Sequence, residues 1–274
     1  REPDKSARWN PIERAYDAYQ RAHHLTEEVK NMVGNPKSLN LITIPNADYS
    51  KAWYSFDGVA YDNLETLKKD LVAMKDKLIN IAFEDIQDIA ETLCPLVGQE
   101  ISWPKGAQSF IRAIMIAMLE DSLIPDLGMT REKFNLYNVN KMSSIRDEGS
   151  DNFATLKRYF AGRAKTSPTQ DLANLVINNA PATAKGYMGH VTSALSPFAD
   201  TGVCYLTSGT DIEFSQFADK PTALFVIIPD EKNTRHAIAN IYISQLYKIL
   251  IERANKRAKE TGGEPELPRN VYFL

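Results

Sequence analysis

The sequence predicts a mainly α protein, a helical bundle joined to a partial α/β unit at its C-terminal end. Three observations carry this reading. Leu64, Leu67, Leu71, Met74, Leu78 and Ile81 alternate spacings of three and four, the apolar stripe of a long amphipathic helix. Ala107, Phe110, Ile111, Ile114, Met115, Ala117, Met118 and Leu119 cover most of a helical circumference, which marks a central helix buried all round. After residue 200 short, unbroken apolar runs flank a helical stretch, the order of a parallel sheet covered on both faces.

Taken in order, Asn10-Pro11 is an N-cap followed by proline in the first turn, and a helix runs from there to about Val33, ending at Gly34-Asn35-Pro36. Leu39–Ile44 suits a short strand, and Trp53, Tyr54, Phe56 and Tyr61 suit an aromatic loop. The leucine stripe slips register at Ile86, Ile89 and Leu93, which predicts a kink or a new helix near residues 80–84. The central helix spans Pro104 to about Asp121, and Met115 and Met118 are read as core rather than as a methionine groove. Further helices are expected over about 130–144, 151–162, 167–180 and 181–198. The last is rich in Gly, Ala and Ser, which suits close helix–helix approach. Val203–Leu206 and Thr222–Ile228 are read as strands, then a helix over about 234–259 leads to a final strand at Val271.

Composition bounds the function classes. A chain of 274 residues can bury a sizeable core, and 43% apolar with 24% charged residues is ordinary for a globular protein. A formal charge of −3 confines any nucleic-acid surface to a local patch. Cys94 and Cys204 sit in apolar runs and are read as buried free thiols. His23, His24, His190 and His236 have no metal-ligand spacing; His23-His24 is read as solvated surface and His190 as a packed helix interface. No stretch approaches the roughly 20 apolar residues that span a bilayer, and no G-x-x-x-x-G-K-[ST] loop or hydrolase motif occurs.

Three segments carry a resemblance: Ser6-Ala7-Arg8-Trp9-Asn10-Pro11, the tryptophan-led helix after Ile101-Ser102-Trp103, and Thr207-Ser208-Gly209-Thr210-Asp211 followed by Lys220-Pro221-Thr222-Ala223-Leu224-Phe225. In this order they resemble the TraG/TraD-like coupling proteins of type IV secretion, the motor ATPases of conjugation. The resemblance implies three parts. Residues 1–35 are a helix from the nucleotide-binding domain. Residues 36–200 are an all-α substrate-recognition domain, with 36–83 as an insertion. Residues 201–274 are a partial RecA-like α/β unit ending at the Walker B strand. It also implies a phosphate-binding loop before Arg1 and an acidic pair after Leu274, so that ATP and Mg belong to the intact protein and this chain is silent in catalysis. Asp230 and Glu231 follow Pro229, one strand too early for that pair, and receive no catalytic role. The intact protein is expected to be a membrane-anchored homohexamer on the cytoplasmic side, and this chain a monomer. Expected partners are a relaxase or relaxosome, a secreted effector and components of the secretion channel.

One local cluster points to a partner. Lys157, Arg158, Arg163 and Lys165 enclose Tyr159 and Phe160, and cations interleaved with rings can hold single-stranded DNA, charges on phosphates and rings on bases. The competing reading is a helix end whose cations complement the dipole while the rings face the core. Two other functional classes stay open: a helical adaptor that binds proteins without nucleic acid, and an NTPase with a non-standard site built around Asp230.

Overall fold

The computed structural model describes residues 6–34, 54–56, 59–61, 63–98, 100–148, 153–227 and 236–273. The chain is mainly helical, as predicted, and divides into two compact units: residues 14–85, and residues 1–13 with 86–274.

The smaller unit contains helix α1 (Glu13–Gly34), a hairpin of β1 (Tyr54–Phe56) and β2 (Val59–Tyr61), and most of helix α2 (Leu64–Leu93). Asn10 stands in the turn before α1 and not at its cap, its side-chain oxygen accepting from the Ile12 amide at 3.2 Å. The strands pair antiparallel, with Tyr54 opposite Tyr61. This hairpin stands where an aromatic loop was expected; Leu39–Ile44 and Trp53 lie outside the described residues. Leu25, Leu67 and Leu71 form the unit's core, with Tyr61, Met74 and Leu78 packed around them. The Arg14 guanidinium holds the nearly buried Asp85 carboxylate at 3.1 Å.

α2 does not break near residue 80. It runs for 30 residues, and Ile86, Ile89, Ala90 and Leu93 are buried beyond the slip. The change of stripe falls at the boundary between the two units, so the helix exchanges one set of neighbours for another without ending.

In the larger unit helix α3 (Ser102–Asp121) is the centre. From Phe110 to Leu119 every apolar side chain is buried, Met115 and Met118 included. Helices α4 (Leu136–Ser143), α6 (Thr169–Ile177) and α7 (Pro181–Leu195) pack on it, and α5 (Ala154–Ala161) packs on α6. α4 starts six residues later than the pattern suggested. A 3-10 turn at Pro125–Leu127 closes on Gly128 at φ 59°, and Asn135 then caps the helix by accepting from the Asn138 amide at 3.0 Å.

Val203–Leu206 is not a strand. It lies in helix α8 (Thr201–Leu206), whose cap Asp200 accepts from the Val203 amide at 3.0 Å. A four-residue apolar run carries no period of its own, so the capping carboxylate decides its state. Thr222–Ile227 and Val271–Phe273, expected as strands, form none: among the described residues the only sheet is the β1–β2 pair. Phe225 is 83% exposed and Tyr272 77%. A parallel strand is stabilised by ladder neighbours and by cover on both faces, and these runs have neither. The expected α/β unit is not seen: no parallel sheet forms among the described residues, and the long helix expected over about 234–259 is α9 (His236–Thr261). α9 buries Ala239, Ile241, Tyr242, Leu246 and Leu250. Among the described residues no helix is long and apolar enough to cross a membrane.

Candidate functional site

The five residues singled out by charge and aromatic content divide into two groups. Arg163 turns inward, its side chain 9% exposed. Its Nη1 donates to Asp121 Oδ1 at 2.5 Å, to Glu120 Oε2 at 3.4 Å and to the Ala117 carbonyl at 3.2 Å, all at the C-terminal end of α3. A guanidinium suits this position because the last carbonyls of a helix carry partial negative charge. Tyr159 donates its hydroxyl to Asp121 Oδ2 at 2.5 Å, and the Arg163 guanidinium lies 4.1 Å from the centre of the Tyr159 ring. Ser167 and Thr169 both donate to Glu120, which ties the start of α6 into the same network. Burial, with Asp121 accepting its proton, raises the Tyr159 pKa above the ordinary phenol range. Burial alone would lower the Arg163 pKa, but Asp121, Tyr159 and Glu120 together outweigh it and raise it.

Arg158 and Lys165 are exposed and Lys157 is half-buried. Arg158 Nη2 donates to Thr155 Oγ1 at 3.2 Å, a contact within its own helix. Phe160 is buried, its ring edge-on to Phe110 at 5.9 Å. Two residues of the segment thus lock α5 to the end of α3, and three place cations at or near the surface.

The second site joins two motifs that the sequence presents far apart. Arg8 meets Asp211 bidentately, Nη2 to Oδ1 at 2.9 Å and Nε to Oδ2 at 3.1 Å, and its amide also donates to Oδ2 at 2.9 Å. The Trp9 amide donates to the Leu206 carbonyl at 2.7 Å, and the Asp211 amide to the Arg8 carbonyl at 2.9 Å. The Asn10 amide donates to Thr210 Oγ1, and the Thr210 hydroxyl donates to Glu13. Glu13 also pairs with Arg131 at 2.8 Å, and Asn10 Nδ2 donates to the Phe134 carbonyl at 2.7 Å. Trp9 stacks on Phe214 and meets Tyr242 edge-on, so an aromatic core underlies the polar ties. The Arg8 side chain and amide hold the Asp211 carboxyl down at about 2. Sequence reasoning found both motifs but not their contact, because no local period links residues 203 positions apart.

Trp103, Tyr187 and His190 form an aromatic cluster between α3 and α7. His190 is exposed and stacks on Trp103 at 6.3 Å, where a packed interface residue was expected. His24 is exposed, while His23 is half-buried against Tyr19. Cys94 is buried, Cys204 is half-buried, and both are free thiols.

The Thr210 hydroxyl and the Asp211 carboxylate are engaged by Glu13, Asn10 and Arg8. Among the described residues no three His, Cys, Asp or Glu side chains gather where they could hold a metal ion. Asp230 lies outside the described residues.

Comparison with known proteins agrees with the motifs. No curated protein and no solved structure matches the chain. The family model described as "Type IV secretory system Conjugative DNA transfer" matches residues 63–273. The match begins inside the stretch 36–83 that had no recognisable counterpart, so residues 63–83 share the family's pattern. It takes in the tryptophan-led helix and the whole segment from Thr207 to Phe225. Covering well over half of the sequence, it shows that the chain belongs to the type IV secretory conjugative DNA transfer family.

Proposed function

We propose that the helical part of this chain recognises the transferred substrate, a relaxase carrying single-stranded DNA or a secreted effector, with Lys157, Arg158 and Lys165 as the DNA-contacting cations. The observation that supports this reading is the anchoring of their segment. Arg163 and Tyr159 tie it to Glu120 and Asp121, so the three cations stand on a fixed frame. A preorganised frame loses less freedom on binding, and each phosphate contact releases counterions. The overall charge of −3 sets the expected affinity at the weak, non-specific level of roughly 10⁻⁴ to 10⁻⁶ M.

Fluorescence anisotropy with a labelled single-stranded oligonucleotide, repeated over a salt series, tests the proposal. The unaltered chain should bind with an affinity that falls steeply as salt rises. The triple variant Lys157→Glu, Arg158→Glu, Lys165→Glu should lose binding while its circular dichroism is unchanged. Equal binding by the two proteins removes these residues from the interface. No binding by either at low salt assigns recognition to a protein signal on the relaxase or effector.

ATP-driven translocation by a membrane-anchored hexamer belongs, on this proposal, to the assembled secretion machine. Titration of the chain with Mg-ATP should give no heat of binding at micromolar concentration, and a one-to-one isotherm would contradict this.

A further inference from the structure

The chain passes twice through one small region beside α4, once at residues 6–13 and again at 206–214. The two passages are joined by backbone bonds (Trp9 to Leu206, Asp211 to Arg8), by the bidentate Arg8–Asp211 pair, and by Thr210 acting on both Asn10 and Glu13. The first passage then reaches the loop that leads into α4. Asn10 holds the Phe134 carbonyl, one residue before the cap Asn135, and Glu13 holds Arg131. Behind these, Gln245 of α9 donates to the Pro11 carbonyl at 2.6 Å. The bundle helices α3 to α7 all lie in the sequence between the two passages.

We propose that residues 6–13 and 206–214 form a cross-tied neck, closed by Arg8 and Asp211, through which displacement of one passage relative to the other is transmitted to the N-terminal end of α4. The geometry gives the neck two properties. Its polar ties converge on one short stretch, Arg8 to Glu13, so that stretch cannot shift without disturbing either the 206–211 backbone or the Phe134 carbonyl. Its closing pair stands about 40% exposed on both sides, so it can open without unfolding the aromatic core of Trp9, Phe214 and Tyr242 beneath it. An exposed pair contributes little to global stability, which makes it a local fastener and separates its role from that of the core. Local opening of this kind is read by amide exchange.

The test is hydrogen exchange on the whole chain, with peptides covering 206–214, 134–143 and, as an internal control, α6. In Arg8→Glu exchange should accelerate several-fold at 206–214 and at 134–143 together and stay unchanged in α6. The charge swap, Arg8→Asp with Asp211→Arg, rebuilds the ion pair but not the bond from the residue 8 amide, since arginine has no acceptor, and should recover part of the protection in both regions. Acceleration confined to 206–214 would overturn the transmission to α4. No acceleration in either region, or a swap that recovers none of the protection, would overturn the role of the pair. If Arg8→Glu does not fold, Asp211→Asn, which keeps the side-chain shape, is read by the same three regions with the same outcomes.

Discussion

Trp103 lies across Gly186 so closely that a methyl group on that glycine would fall 2.5 Å from Trp103 Cζ3. The relation is reciprocal, since a methyl group on Gly106 would collide with the Tyr187 ring. The two rings are 4.9 Å apart, each filling the notch that a glycine of the opposite helix leaves. Trp103 cannot swing away freely, because its indole N–H donates to Glu100 at 2.9 Å.

Gly186→Ala and Gly189→Ala should therefore act with opposite sign. Alanine is favoured over glycine in a helix by about 0.8–1 kcal/mol, and nothing lies within 4 Å of a methyl group at Gly189. Gly189→Ala should gain most of that amount. At Gly186 overpacking costs about 1–3 kcal/mol, which exceeds the gain. Urea denaturation midpoints compare the two directly, and a stabilised Gly186→Ala would contradict the interlock.

The small-residue composition of α7 made its close approach to α3 legible in sequence, but not which ring would enter which notch. Helices were legible wherever an apolar period ran for several turns, as in α2 and α3. The pattern failed at Val203–Leu206, where four residues are too few for a period and Asp200 decides the state. At residue 80 of α2 a register slip looked like a break, although the slip records a change of neighbours. Arg163 and Tyr159 showed as a cation and a ring of unknown direction. Their inward orientation depends on Asp121, some 40 residues away, which no local reading could supply. The family motifs were legible as words, while their junction through Arg8 and Asp211 existed only in the folded chain.

The two thiols should differ in reactivity. Burial pushes the Cys94 thiol up to about 12, and it raises the half-buried Cys204 as well. The thiolate is the nucleophile, and Cys94 combines the deeper burial with poor access. In a time course with iodoacetamide at mildly alkaline pH, peptide mass spectrometry should find Cys204 modified well before Cys94. Equal rates would mean that the loop following α2 opens readily.

The neck pair should survive mild acid. The Asp211 carboxyl is held at about 2, below its ordinary value of 3.8. A carboxyl whose folded pKa is depressed contributes stability fully above the unfolded value, and loses it as pH falls through the folded one. Protection of the Asp211 amide should thus persist at pH 4 and disappear progressively between about 4 and 2. Carboxyl chemical shifts followed through an acid titration locate the midpoint, and an Asp211 midpoint near 4 would show that Arg8 does not hold it in solution.

Arg163 and Lys165 stand two residues apart and should differ sharply in their response to loss of charge. Removing Arg163 leaves Asp121 and Glu120 facing each other at the end of α3, with the Tyr159 ring unsupported. Breaking a buried ion pair costs about 3–5 kcal/mol; Glu120 is 20% exposed, which places Arg163→Ala at the lower end, about 3 kcal/mol. Lys165 is exposed, so Lys165→Ala should change stability by less than about 0.5 kcal/mol. The contrast also decides how DNA contact is to be probed. Arg163→Glu would set a third carboxylate against Asp121 and Glu120, and lost DNA binding in that variant would report a loosened α5 and not a missing phosphate contact. Urea denaturation of Arg163→Ala beside Lys165→Ala checks the assignment, and a stability loss of the same size in both would show that the Arg163–Asp121 bond does not fasten α5 to α3.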